Sequence, residues 1–458
     1  MQWRTAVVKN KSIIFADMKI MYCIRGLHNS GGMERVLSVK ANLLASRGHE
    51  VSIVVLRLKG RKPFFPIDPS VNIVDLSAPY LSLPGHSSSA NATSDSPRTT
   101  VSSTVGSAAS PASCSARTES SASPASSAAG ITPGPATGAS ERLKGSVRER
   151  LARVVEMLDP DVCVSLCGPE VRILPAVAGG RPCVAEYHFS HDKFYRKYGG
   201  IFMYPYAWLR THMLERAVSE YDCMVTLTEH DLPIWKRHCR RVERIFNPVT
   251  TPPGQVSRLA EKRMIAVGRL EDQKNFKDLV SAWSIVAERC PDWRLEIFGE
   301  GKLEHALRSQ IARLGLTGSV ILRGVVKDIA SEYSNSSALL MTSLHEGFPL
   351  ALVEASSFGL PLISYDCPTG PSEIIVDAGD GGGVGNVPEA TLDQAAGNTP
   401  NGYLVPVGDV RTLADRICRI ASDDNLRLRL GAASKASSRR FTPETIISAW
   451  EHLFFSLL

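Results

Sequence analysis

Apolar positions along the chain come in short dense runs. Each run is followed by a glycine-containing loop and then by a stretch with helical apolar spacing. The first cycle is the strand KIMYCIR from Lys19, the loop GLHNSGG, the helix MERVLSVKANLLASRG and the strand HEVSIVVLRL. VNIVDL, DVCVSLC, PCVAEYH, DCMVTLT and RVERIF read as further strands, with helices between most of them. Strand–helix alternation of this kind predicts a parallel sheet covered by helices. At 247–258 the sequence NPVTTPPGQVSR breaks the pattern with the proline content of a linker. The alternation then restarts, with KRMIAVGR, WRLEIFGEG, SVILRG, SALLMTS and LPLISYD as strands. The expectation is an α/β chain with two doubly wound domains, 18–247 and 258–440. A terminal helix in 441–458 is expected to pack back on the first domain. Two such domains in one chain usually hold ligand between the carboxyl ends of their strands.

Two segments leave this plan. Of the 55 residues in 86–140, 17 are Ser and only four are charged, too little apolar surface to offset the entropy of ordering. They read as a disordered insert in the first domain, and 379–400 reads as a smaller insert of the same character. Met18-Lys19-Ile20 is the natural start of the first strand, so the preceding seventeen residues read as an extension. Lys9, Lys11, Asp17 and Lys19 interrupt any secretory apolar core there, which predicts a cytoplasmic protein. No run reaches the roughly 18 apolar residues of a membrane span. With 43% hydrophobic residues in 458, a wholly disordered chain is excluded as well. The ten cysteines form no CxxC pair, and Cys163 and Cys167 alternate as in a buried strand. Free thiols in a reducing compartment follow, and no metal is expected. The net charge of +6 resolves into +10 for residues 1–245 and −4 for 246–458, a switch that falls at the linker.

Candidate chemistry collects in four loops. In SLHEGFPLALVEASSFG, Pro349 suits the first helical position, which puts Glu346 in the loop before the helix and Glu354 inside it. Gly347 allows a ligand to approach the backbone, and the amides of Phe348 and Leu350 suit a phosphate or a sugar hydroxyl. In VGRLEDQKNFKDLV, Arg269 and Lys274 follow a strand and suit a pyrophosphate, with Asn275 as helix N-cap. Gly31-Gly32 opens a helix at a second phosphate-facing loop, and the absence of GxGxxG there disfavours a dinucleotide. His188 ends a strand at the expected interdomain face, with His191 beside it as a competitor.

The GG loop (31–32), GRLEDQKN (268–275), the E-x7-E motif (346–354), GPSEII (370–375) and NGYLVPVGD (401–409) stand in the order and spacing of glycosyltransferase family 4. The chain resembles that family from Met18 to its end. The resemblance implies a GT-B fold, two Rossmann-like domains facing a cleft, and transfer with retention of anomeric configuration. By the same resemblance Arg269 and Lys274 bind the diphosphate of a nucleotide-sugar, most commonly a UDP-sugar. Glu346 lies beside the donor sugar and Glu354 bonds the ribose hydroxyls. Gly31 and Gly32 close over the diphosphate, and His188 approaches the sugar. No cofactor and no divalent metal are implied, because Arg269, Lys274 and helix N-termini can neutralise the leaving diphosphate.

The resemblance also assigns the basic first half to a glycan or lipid-linked acceptor, as in bacterial surface polysaccharide synthesis. The aromatic and basic run DKFYRKYGGIFMYPYAWLRTHML adds an anionic membrane surface as a further partner, on the inner face of the cytoplasmic membrane. A core-packing helix with a solvated basic face is the competing reading. A nucleic-acid partner is disfavoured by the acidic second half. Two alternatives stay open: another GT-B sugar-nucleotide enzyme such as an epimerase, and a binding protein without catalysis.

Overall fold

The computed structural model describes residues 17–78, 145–198, 200–379 and 398–458, together with the short strands Val7–Lys9, Ser12–Ile14, Tyr80–Leu81 and Glu141–Arg142. Nearly all of the 86–140 and 379–400 inserts lies outside the described residues. Residues 80–142 form a separate unit, of which only the antiparallel pair Tyr80–Leu81 and Glu141–Arg142 is described.

The remainder is built on two parallel sheets. The first has strands β1 (Lys19–Ile24), β2 (Glu50–Val55), β3 (Asn72–Asp75), β4 (Val162–Ser165), β5 (Cys183–Glu186), β6 (Cys223–Thr226) and β7 (Val242–Arg244), in the order β7-β6-β5-β4-β1-β2-β3. The second has β8 (Arg263–Val267), β9 (Arg294–Phe298), β10 (Val320–Gly324), β11 (Leu339–Met341), β12 (Leu362–Tyr365) and β13 (Gly402–Val405), in the order β10-β9-β8-β11-β12-β13. Central strands such as β4 and β12 are buried at every position, as strands covered on both faces must be.

Each sheet grows outward in both directions from its first strand. The strand order therefore reverses between β1 and β4 in one sheet and between β8 and β11 in the other. Loops leaving the carboxyl ends on either side of such a switch diverge and open a crevice. Four helices matter for what fills it: α1 (Gly32–Ser46), α2 (Tyr204–Val218), α3 (Leu350–Ser357) and α4 (Pro443–Phe455).

The terminal helix α4 completes the first domain's core. Its Ile446, Ile447, Trp450, Leu453 and Phe454 join Ile20, Tyr22, Leu37 and Val164 in one cluster. Arg47 and His49 reach Glu451 on it at 2.6 and 3.1 Å. Thr442 caps its first turn by accepting from the Thr445 amide, and Pro443 follows where no amide donor is needed. Near the linker, Phe246 stacks on Phe348 with ring centres 5.4 Å apart, and Phe441 meets both edge-on. No helix among the described residues is long and apolar enough to cross a membrane.

Candidate active site

The loop after β8 carries Arg269 and Lys274, and the loop after β11 carries Glu346 and Gly347, so the two flank the switch point of the second sheet. Lys274 Nζ donates to Glu346 Oε1 at 2.6 Å, and the two side chains are 19% and 10% exposed. The pair is thus shielded yet open to a ligand. Three further contacts hold it. Gln273 Nε2 donates to the His345 carbonyl at 2.8 Å, Thr342 Oγ1 donates to the Lys274 carbonyl at 3.1 Å, and the Thr369 amide donates to the Glu346 carbonyl at 3.1 Å.

Glycines decide how close the walls come. A Cβ on Gly268 would lie 3.1 Å from the Lys274 stem, and one on Gly32 would lie 3.1 Å from Leu350 at the start of α3. The start of α1 therefore packs against the Leu350 side chain at the start of α3, and the first turn of each helix has amides without an intrahelical acceptor. A Cβ on Gly347 would strike the His188 carbonyl and lie 3.0 Å from the Phe189 Cα. That contact brings the His188 loop of the first domain against the Glu346 loop of the second. Gly31 is the N-cap of α1 with φ −74°, so its small size serves the Glu34 carboxylate folded over it and not a left-handed turn.

His188 is 9% exposed, and its Nε2 lies 3.1 Å from Glu186 Oε1, though not aligned for a hydrogen bond. Glu186 in turn accepts from Lys40 Nζ at 2.6 Å through each oxygen. Burial opposes the charge on Glu186, but Lys40 and His188 outweigh it and pull its carboxyl down to about 2. Burial lowers the Lys40 ammonium, which Glu186 partly offsets. An ion pair beneath the end of β5 thus fixes the strand end from which His188 projects. Burial pushes the neighbouring Cys367 thiol up to about 12, with Glu346 adding to the effect, so it is no nucleophile at neutral pH. Burial lowers the pKa of His345, and the nearby Arg196 lowers it further.

Not every residue singled out from sequence joins this group. Arg269 is 69% exposed on its side chain and pairs with Glu271 at 3.0 Å, away from Glu346. Glu354 is 4% exposed and faces the linker. It accepts from Thr250 at 2.6 Å, Thr251 at 3.1 Å and Tyr333 at 3.2 Å, and it pairs with Arg35 of α1 at 3.0 Å. The Phe348 side chain packs in the linker's aromatic cluster, which leaves its backbone as the part nearer the crevice. Two local expectations need correction. Asn275 does stand at the N-cap, but in the left-handed region at φ 47°, and its amide donates to Asp278 instead of capping. Pro349 is the N-cap of α3, one position before the first helical residue, because its ψ of 100° is extended. Sequence reasoning missed Lys40, Glu186, Arg196 and His345. It also missed Gly299 and Gly301, where a Cβ would strike the backbone of Gly268 and Leu270 under the Lys274 loop; GEG after a strand is the signal for that pair.

Two facing Rossmann-like sheets with a cationic and carboxylate pair at the switch point define a GT-B architecture. Residues 252–437 match the family Glycosyl transferases group 1. An uncharacterized glycosyltransferase of Haemophilus influenzae is 23% identical over 436 residues, covering 94% of this chain and 99% of the relative. The amylovoran biosynthesis glycosyltransferase AmsD of Erwinia amylovora is 30% identical over 193 residues, which span 42% of this chain and 48% of AmsD. Among solved structures, Anabaena HepE in complex with UDP and glucose superposes with a TM-score of 0.61 at 16% identity, over 96% of this chain and 100% of HepE. The fold is that of a GT-B glycosyltransferase. The matches support a glycosyltransferase of group 1, with homologues in polysaccharide synthesis.

Proposed function

We propose that the protein is a retaining glycosyltransferase of family 4. It moves a hexosyl or N-acetylhexosaminyl group from a UDP-sugar to a hydroxyl of a glycan or lipid-linked acceptor, in the synthesis of a bacterial surface polysaccharide. The observation that carries this reading is the Lys274–Glu346 pair at 2.6 Å, set at the loop that leads into α3, whose first residue packs against the start of α1. Lys274 and the first-turn amides stabilise the negative charge that grows on the leaving diphosphate, which is the electrostatic part of catalysis and needs no metal. Glu346 then exchanges its bond to Lys274 for the donor's sugar hydroxyls. Arg269, held by an exposed pair with Glu271, swings onto the diphosphate at little cost. Glu354 bonds the ribose once donor binding loosens the Arg35 contact. The complex of HepE with UDP and glucose supports the donor class.

On the acceptor side, Phe202 is 95% exposed at the start of α2, and Tyr204, Tyr206, Trp208 and Leu209 follow it onto the surface. Lys193, Lys197 and Arg210 lie over Phe189, Tyr198 and Phe194 of the adjoining segment, and Tyr198 meets Tyr206 edge-on. This mixture suits an anionic membrane surface. One screen tests both sides: nucleotide release from UDP-, GDP- and ADP-sugars in chelator, with and without vesicles of anionic phospholipid. Release from a UDP-sugar without added metal, and sedimentation of the protein with the vesicles, are expected. Release from none of the donors contradicts the transferase reading, and protein left in the supernatant contradicts the membrane reading.

A further inference from the structure

We propose that the first domain holds a structural Zn2+ ion on His191, Glu215 and His238, behind the loop that carries His188. The three come from separate segments: the loop after β5, the last full turn of α2, and the turn after the short helix Leu232–Trp235. His191 Nε2 lies 2.9 Å and His238 Nε2 lies 3.4 Å from Glu215 Oε1, and all three donor atoms fall within 4.8 Å of one another. Zinc bonds of about 2.0–2.1 Å in a tetrahedron put neighbouring donors about 3.3 Å apart. Two of the separations are already near that value.

The surroundings fit a nitrogen-preferring divalent ion. Glu215 is 15% exposed, and among the described residues its ion-pair partners are all imidazoles: His191, His238 and, at 3.5 Å from its other oxygen, His212. Among the described residues no lysine or arginine pairs with it, which leaves its oxygens to the imidazoles and to a bound cation. His212, whose side chain is 55% exposed, meets the other Glu215 oxygen and lies outside the three-donor cluster, so water fills the fourth position. The fully buried Trp235 lies edge-on to both ring ligands, 5.0 Å from His191 and 6.5 Å from His238, and gives the site an apolar wall. His and carboxylate donors select Zn2+ over Mg2+ and Ca2+, which want oxygen alone. The ion ties the loop of residues 188–198 to α2.

The test uses the full untagged chain, stripped with chelator, desalted and given one equivalent of Zn2+. About one ion per chain is expected to survive a second desalting, with a Tm rise of about 5 °C in modest excess Zn2+ and none in Mg2+. Co2+ in place of zinc is expected to give the visible absorption of a tetrahedral nitrogen and oxygen site. The double variant His191→Ala/His238→Ala is expected to retain at least tenfold less zinc, and Glu215→Gln provides a milder second variant. A wild-type chain that keeps no zinc and shows no Tm change overturns the proposal. Equal zinc retention by wild type and variants overturns it too, since the ion then sits elsewhere.

Discussion

Glu346→Gln is expected to cut transfer by about 10²–10³-fold while the melting temperature moves by less than about 2 °C. The magnitude follows from removing one charged group aimed at the reacting centre. The small thermal effect follows from the surroundings. Lys274 loses a partner at 2.6 Å, but its side chain is 19% exposed, so water takes over part of that contact. Glutamine still accepts through its carbonyl oxygen, so the loop held by Thr369 and Gln273 keeps its shape. Parallel measurement of kcat and Tm checks both halves. A variant with near-normal kcat removes Glu346 from the reaction. A variant that loses activity together with more than about 10 °C of Tm shows a structural carboxylate instead.

Glu186→Gln is expected to be much more damaging to stability. Lys40 and Glu186 are 1% and 2% exposed on their side chains, and Lys40 also lies 3.9 Å from the centre of the Trp450 ring on α4. Removing one member strands the other charge in the core, at a cost of about 3–5 kcal/mol. For a domain of this size that corresponds to a loss of roughly 10 °C in the first unfolding step. Lys40→Met/Glu186→Leu is expected to recover most of the loss, because the pair contributes little beyond its own desolvation. The pH dependence has a fixed sign. The Glu186 carboxyl is held down at about 2, so its contribution is complete above the unfolded value near 4.3 and disappears as pH falls towards 2. Calorimetry across that window, on wild type and the double variant, checks it. A single variant as stable as wild type would mean that Lys40 reaches solvent by another route.

What the sequence makes legible depends on the range of the interaction. Both sheets are written in local apolar runs, and Glu346 and Lys274 sit in short loops whose placement follows from the strands before them. Glu354 looks equivalent to Glu346 along the chain. Its surroundings are set by Arg35, Thr250, Thr251 and Tyr333, which no local pattern connects to it. Lys40 looks like one more basic residue on an amphipathic helix until α4 closes over it. Arg269 and Lys274 sit in one loop, yet one faces solvent and the other faces Glu346, because a short turn over Asp272–Lys274 separates them. His191, Glu215 and His238 are more than twenty residues apart, beyond any metal-ligand spacing that a sequence displays. The cysteine count therefore argued against a metal without bearing on this cluster.

The most direct test of the central claim is a calorimetric titration of UDP and of uridine into wild type and Lys274→Ala. If the crevice between β8 and β11 binds a nucleoside diphosphate, UDP affinity should fall at least tenfold in the variant while uridine affinity stays the same. Equal UDP affinity in the two proteins, or no UDP binding to wild type, would contradict the assignment of Lys274 and Glu346 to the donor site.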